Sequence, residues 1–237
     1  MWQQEAVNIE PPSNSDRLRA VGGLPGPAFF PEGFGLSHDF DPQNGRPTLM
    51  AIGHNFGGET YRRNLEPPGP GREDIDGRRT WCKLDVLLRK VNHPNSRPSN
   101  CYRTNWFIGL LPGDKQNGAF LLKPDPIYEN ACRSLLIKQI RCLRPTAILL
   151  LGPEVARRAY QVFPALASWR GAKNFAEIDR SSIGHSQRNV EIASANRRTN
   201  VVALLHPSQG AGNEARRMKN MTEPFAEAEL IRAALEP

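Results

Sequence analysis

Four polar residues with useful side-chain chemistry lie at or just beyond the ends of apolar runs. They are His54, Asn55, Asn105 and His206. An imidazole can donate a hydrogen bond or carry a positive charge near neutral pH, and an Asn amide offers both a donor and an acceptor. Asn can orient a water molecule but is a poor base. These residue types are suited to stabilising a developing negative charge and to holding a water beside it.

The runs that precede these residues predict an α/β fold. Short apolar strands are predicted at 48–52, 100–108, 147–151 and 200–205, and helices at 81–92, 125–143, 154–169, 213–221 and 223–235. Alternating strands and helices with continuous apolar strands indicate a three-layer sandwich, in which helices flank a central, mainly parallel four-stranded sheet. Ligands of such sheets bind beyond the carboxyl ends of the strands, so we expect the polar residues to meet there.

The chain divides by composition into an arm and a domain. Residues 1–47 are rich in Pro and Gly and predict a loop-rich arm, whereas residues 48–237 carry the predicted strands and helices. The chain has no run of 18 apolar residues and its first residues do not resemble a signal peptide. We therefore expect a cytoplasmic protein with no membrane partner, and we expect a monomer.

The charge is basic and carried by arginine. The 237 residues include 31 Lys+Arg against 24 Asp+Glu, giving a net charge of +7, and 24 of the 31 cations are Arg. Arg is suited to bidentate phosphate contacts and to stacking on bases, which indicates a nucleic-acid partner. A GC-rich genome would favour Arg codons equally well, and composition does not separate the two explanations.

The cysteines predict no metal site. Cys82, Cys101, Cys132 and Cys142 form no Cys-x-x-Cys pair, and no His lies at a spacing that would complete a zinc site. We expect four buried free thiols and no cofactor.

The motifs at the strand ends resemble those of the uracil-DNA glycosylase superfamily. Gly53-His54-Asn55-Phe56-Gly57 is similar to the first motif of that family, whose branches carry Gly-x-Asp-Pro-Tyr, Gly-x-Asn-Pro-Gly or Gly-Glu-x-Pro-Gly. His206-Pro207-Ser208 resembles the second motif, and Arg103-Thr104-Asn105 the strand end whose Asn reads the base. The resemblance covers roughly residues 48–209.

This resemblance implies a DNA glycosylase that flips a pyrimidine and hydrolyses its N-glycosidic bond. Asn55 and His206 would be catalytic, with Asn55 holding the water and His206 stabilising the departing base. His54, Phe56, Gly57, Asn105 and Trp106 would line the base pocket. Ser208, Arg216 and Arg217 would bind DNA phosphates. A basic rim formed by Arg103, Arg197–Arg198 and Arg216–Arg217 would surround this pocket.

Two departures from the family pattern predict an unusual substrate. Phe56 replaces the usual Pro, and Gly57 stands where the uracil-strict branch has a Tyr that excludes bases substituted at carbon 5. The stretch 66–71 lacks the aromatic platform that the family places there, a role that Phe56 or Trp106 could take. We therefore expect a bulky or modified pyrimidine, such as a hypermodified cytosine of phage DNA, which would make the protein an antiviral defence enzyme.

Several alternatives stay open at this point. General uracil repair is one, and a nucleic-acid-binding homologue without activity is another, because Asn55 stands where an Asp would be a better base. A small-molecule enzyme on the same α/β scaffold is a third, because fold does not determine function. Taken singly, His206 could be a structural strand-end residue, Asn55 a turn residue and Asn105 a loop cap.

Overall fold

The computed structural model describes residues 9, 46–54, 81–109, 125–193, 197–207 and 226–236. The strands are β1 Leu49–Gly53, β2 Cys101–Asn105, β3 Ala147–Leu151, β4 Ser186–Glu191 and β5 Arg198–Leu204. The α-helices are α1 Trp81–Lys90, α2 Pro126–Leu143, α3 Pro153–Arg158, α4 Phe175–Asp179 and α5 Ala226–Leu235. Short 3₁₀ turns span Pro94–Ser96, Pro98–Asn100, Ala159–Gln161 and Pro164–Trp169.

The five strands form one mixed sheet in the order β2-β1-β3-β5-β4. The first four strands in this order run parallel, and β4 is antiparallel to β5. From β1 the chain goes to β2 on one side, and it then returns to β3 on the other side. This reversal is the topological switch point at which sheets of this kind open a crevice for ligands, beyond the carboxyl ends of β1 and β3.

Two hydrophobic clusters cover the two faces of the sheet. Alternate strand residues such as Met50 and Ile148 join α2 in one cluster, and their neighbours Ala51 and Leu149 join α1 and α5 in the other. Because side chains alternate across a strand, a strand covered on both faces is apolar throughout, and β1 and β3 are completely buried. The predicted α/β class with a mainly parallel, helix-flanked sheet is confirmed.

The predicted number of strands was wrong, because the sheet has a fifth strand. In β4, with the sequence Ser-Gln-Arg-Asn-Val-Glu, only Val190 is buried. The pairing with β5 shifts register between Gln187 and Val190, and Asn189 has a φ of 53°. A polar, irregular edge strand lacks the apolar run on which a prediction from sequence depends.

The predicted helix 154–169 was also wrong, because it is interrupted. α3 ends at Arg158, and the chain continues in two 3₁₀ turns, the second beginning at Pro164. Proline cannot donate the hydrogen bond that would continue the helix. The predicted strand 100–108 is shorter than expected, since β2 ends at Asn105.

The helix α2 follows its prediction closely and has clear end signals. Asp125 Oδ1 accepts hydrogen bonds from the N–H groups of Ile127 (2.9 Å) and Tyr128 (3.0 Å), and Pro126 occupies the first turn. The helix ends at Arg144, which has a left-handed conformation.

Cys101 and Cys132 are free and buried, and burial raises the pKa of each thiol to about 11. Cys142 is exposed, so the expectation of four buried thiols was wrong for this residue. The side chain of Cys82 lies outside the described part.

Of the predicted arm, only Ile9 and the residues from Arg46 onward are described, and Ile9 packs on the α2 side of the sheet. The predicted helix 213–221 also lies outside the described residues. Across the described ranges, no helix is both long and apolar enough to cross a membrane.

Candidate functional site

The switch-point crevice begins where β1 and β2 end side by side. Gly53 pairs with Asn105 in the parallel register, and the pairing continues past both strands. Trp106 N–H donates to the Gly53 carbonyl (2.8 Å), and Phe107 N–H donates to the His54 carbonyl (3.0 Å). These backbone hydrogen bonds fix His54 and Asn105 next to one another at the carboxyl edge of the sheet.

The Asn105 side chain lies across the end of β1 because Gly53 has no side chain. A Cβ placed on Gly53 would come within 2.4 Å of Asn105 Oδ1. Asn105 is 6% exposed, and neither atom of its amide is among the buried polar atoms that lack a partner. The amide makes no hydrogen bond to another described residue, so it can pair with a ligand at the end of β1.

His54 is packed edge-on against Phe107, with ring centroids 5.4 Å apart and an angle of 81° between the planes. Burial is the main cause that lowers the pKa of His54 to about 4, and the neighbouring Arg158, His206 and Arg157 contribute to this shift. The imidazole is therefore neutral at physiological pH.

The Phe107 ring that contacts His54 is itself packed against a tyrosine and an arginine. Phe107 stacks on Tyr128 with centroids 6.0 Å apart, and the Arg158 guanidinium lies 5.0 Å from the Phe107 centroid. Glu129 holds Arg158 by an ion pair of 2.7 Å and also accepts a hydrogen bond from Gln161 (2.9 Å). The guanidinium is thereby fixed near the crevice.

His206 lies on the other side of the switch point, above Gly152. The Gly152 N–H donates to the Leu204 carbonyl (2.8 Å), and a Cβ on Gly152 would lie 3.6 Å from the His206 Cβ. Gly152 has a φ of 95° and a ψ of 157°, a conformation that is essentially restricted to glycine. Burial lowers the pKa of His206 to about 4, so this imidazole is also neutral at physiological pH and can act as a hydrogen-bond donor but not as a cation.

Glu227 anchors the chain immediately before His206. It comes from the first turn of α5, is 8% exposed, and accepts a hydrogen bond from the Leu205 N–H (3.2 Å). This contact ties the end of β5 to α5.

The structure thus brings together three of the predicted site residues, His54, Asn105 and His206. Trp106 is completely buried in the core, and its indole N–H has no hydrogen-bond partner among the described residues. The other predicted site residues lie outside the described part: Asn55, Phe56, Gly57, Ser208, Arg216 and Arg217.

The predicted basic rim was wrong for the arginines that the structure describes. Arg103 is 1% exposed and forms an ion pair with Asp85 (2.5 Å) instead of facing the crevice. Arg197 and Arg198 stand at the amino end of β5, and seven residues of strand separate them from the carboxyl edge by about 20 Å.

Prediction from sequence missed Phe107, which follows β2, and it missed Arg157 and Arg158 of α3 and Glu227 of α5. A usable signal exists for Arg157 and Arg158, because α3 is short and begins directly after β3 at the carboxyl edge.

Within the described ranges, no group of three His, Cys, Asp or Glu residues could hold a metal ion. A scan of the sequence against known protein families finds no match, and a search of curated proteins finds none either.

Proposed function

We propose that the protein is a DNA glycosylase of the uracil-DNA glycosylase kind. It flips a pyrimidine nucleotide into the switch-point crevice and hydrolyses the N-glycosidic bond. Water gives its hydroxyl to the sugar carbon, its proton goes to the base, and an abasic site remains. The observation that carries this proposal is the presence at one edge of the sheet of the Asn105 amide, which makes no hydrogen bond to another described residue, and of two neutral histidines, His54 and His206.

In the proposed mechanism Asn105 reads the pyrimidine. A flipped base presents donors and acceptors on its pairing edge, and an Asn amide matches one of each. The base would supply hydrogen-bond partners that the other described residues do not give to this amide. The gain in binding free energy is specific to the base, because a base whose donors and acceptors do not match would leave the amide unpaired.

His206 acts as a neutral donor in this mechanism. As the glycosidic bond breaks, negative charge develops on the base, and a preorganised N–H close to its oxygen stabilises that charge. A neutral imidazole offers one such N–H without the cost of burying a cation. The lowered pKa of His206 supports this form of the side chain over the imidazolium.

The remaining roles fall on residues outside the described part. Asn55 would hold the attacking water, and Ser208, Arg216 and Arg217 would hold phosphates. Phe56 and Gly57 would leave room for a bulky or modified pyrimidine, and excision of such bases from phage DNA would make this an antiviral activity. Because Asn is a poor base, its presence at the water position favours a second candidate function, that of a DNA-binding homologue without activity.

A base-release assay tests the proposal. Oligonucleotides containing uracil or bulky modified cytosines are incubated with the protein, and abasic sites are revealed by alkaline cleavage. We expect release of a modified pyrimidine, and we expect His206→Ala and Asn105→Ala each to slow it by about 100-fold or more at unchanged folding. His93→Gln is the matched control, because this histidine lies in the turn before Pro94–Ser96 at the other edge of the sheet.

The outcomes separate the candidates. Release of uracil alone would establish the repair enzyme and remove the proposal of a bulky substrate. DNA binding without release of any base would establish the inactive homologue. Unchanged release by both variants would overturn the site assignment.

A further inference from the structure

A positively charged surface lies at the amino edge of the sheet, away from the crevice. Its members are Arg46, Arg144, Arg197 and Arg198, which we call the amino-edge patch, and all four side chains are exposed. They precede or begin three neighbouring strands, β1, β3 and β5.

Backbone hydrogen bonds bring these strand starts together. Thr146 N–H donates to the Thr48 carbonyl (2.8 Å), and Asn200 N–H donates to the Thr146 carbonyl (3.0 Å). Adjacent strands are about 4.8 Å apart, so the three starts lie within about 10 Å of one another. The patch is therefore a compact feature of the folded chain and not a feature of composition alone.

The patch concentrates positive charge that nearby carboxylates do not neutralise. No ion pair joins any of its four arginines to another residue of the described ranges. The closest carboxylate by register is Glu191, which lies across from Arg198 in the antiparallel pair. The charges of Arg197 and Arg46 lower the pKa of Arg144, as expected when like charges are held together.

Arg144 occupies a position that would suit glycine better. It ends α2 with a φ of 52° and a ψ of 53°, the left-handed conformation that helix ends usually give to Gly. An arginine here adds a positive charge to the patch at some cost in backbone energy.

We propose that the amino-edge patch binds the phosphate backbone of a DNA duplex, separately from any nucleotide in the crevice. One DNA strand carries a phosphate every 3.4 Å along the axis, so about three phosphates fall within the 10 Å span of the patch. Exposed guanidinium groups are suited to such contacts, because each can donate two parallel hydrogen bonds to one phosphate. The crevice lies about 20 Å away along the strands, so the chain would hold two DNA segments. This inference depends only on the exposed charges and not on glycosylase activity.

The test measures binding of an unmodified 12-base-pair duplex as a function of salt. The variant Arg46→Gln/Arg144→Gln/Arg197→Gln removes three charges, and Arg46→Lys/Arg144→Lys/Arg197→Lys is the matched control that keeps them. We expect the Gln variant to bind the duplex more weakly, by a factor on the order of ten. The slope of log K against log salt concentration should be smaller in magnitude by about 3. The Lys variant should retain most of the affinity and of the slope.

Arg144→Gly adds a single substitution that should not impair folding. Its midpoint of thermal unfolding should be equal to or above that of the wild type, and its salt slope should fall by about 1. Unchanged affinity and slope in both the Gln variant and Arg144→Gly would overturn the proposal.

The proposed glycosylase activity can fail independently of this binding. His206→Ala should leave duplex binding at the patch intact, and the Gln variant should release bases at the wild-type rate when the substrate is saturating. If no base is ever released but the Gln variant still loses affinity, the patch is established and the proposed function is not.

Discussion

The two edges of the same sheet carry opposite chemistry. At the carboxyl edge His54 and His206 are buried and neutral, as their lowered pKa values indicate, and the nearby Arg158 is held in an ion pair with Glu129. At the amino edge the side chains are exposed and cationic, as in Arg144 and Arg197. A parallel sheet makes this division possible, because all of its strands begin at one edge and end at the other.

The two edges are suited to different kinds of recognition. An amide held in a confined place is selective, because a ligand without a matching donor and acceptor leaves polar groups unpaired at a cost in binding free energy. An exposed arginine pays no such cost and contacts any phosphate, so it provides affinity without selectivity. Charge in the sequence is therefore a poor guide to the position of the proposed base-binding site, which includes the neutral His54 and His206.

Acid should affect the carboxyl edge first. A histidine with a pKa near 4 in the folded state and near 6.5 in the unfolded state binds protons more readily when unfolded. The stability that this provides is complete above about pH 6.5 and is lost as the pH falls toward 4. The full loss is about 3 kcal/mol for each histidine.

Chemical denaturation between pH 7 and pH 4 measures this loss. The free energy of unfolding of His54→Gln and of His206→Gln should fall less steeply with pH than that of the wild type. Carboxylates contribute equally to both proteins and cancel in the difference. Identical slopes would show that the histidines are accessible to protons in the folded state, and the contrast between the edges would be lost.

The parts of the fold that could be predicted from sequence are those in which burial determines the residue type. β3 is apolar at all five positions, and α2 carries both its apolar stripe and its Asp125 cap. β4 could not be predicted, because an edge strand has one exposed face and needs little apolar sequence.

The site could be predicted only where it depends on strand ends. His54, Asn105 and His206 follow or close apolar strands, and the rule for parallel sheets brings them together. Arg197 is close to His206 in the sequence, but a fully extended strand of seven residues separates the two. Phe107 and Arg158 come together only through the packing of α2 and α3, which the sequence pattern does not specify.

A methyl group at Gly53 should disrupt the carboxyl edge without unfolding the chain. In Gly53→Ala the added carbon would lie 2.4 Å from Asn105 Oδ1, so the Asn105 amide must move. Because Oδ1 is the end of a side chain, the backbone can stay in place. We expect base release to fall by about 100-fold, since a displacement of about 1 Å suffices for such a loss.

Gly171→Ala is the control for this prediction. The space around Gly171 is open and its φ is not positive, so the same substitution should leave activity and stability unchanged. Full activity of Gly53→Ala would show that the position of Asn105 does not matter for base release.

Gly152 tests whether backbone conformation, and not only space, maintains the crevice. An alanine there meets His206 at an ordinary contact distance of 3.6 Å but must adopt a φ of 95°. We expect Gly152→Ala to lower the free energy of unfolding by about 2 kcal/mol and to slow base release several-fold, because relief of the strain moves the turn beneath His206.

Gly184→Ala introduces backbone strain at a second glycine with positive φ and so shows whether strain alone slows base release. Gly184 has a φ of 63°, and an added Cβ would meet no atom within 4 Å, so its substitution should cost about 1 kcal/mol and leave base release unaffected. Equal effects on base release at the two glycines would mean that any loss of stability slows the reaction.

The smallest expected effect is at the amino edge, where a substitution should raise the free energy of unfolding instead of lowering it. Arg144→Gly replaces an arginine in the left-handed conformation by a residue that adopts it readily, so the free energy of unfolding should rise by about 1 kcal/mol. Denaturant unfolding measures this gain, and the matched substitution Arg141→Gly in the last turn of α2 should instead cost about 1 kcal/mol. A gain in stability together with a loss of DNA affinity would mean that the arginine serves binding at the expense of the fold. A loss of stability would mean that Arg144 stabilises the end of α2. A structural role would then account for the arginine without any binding to DNA.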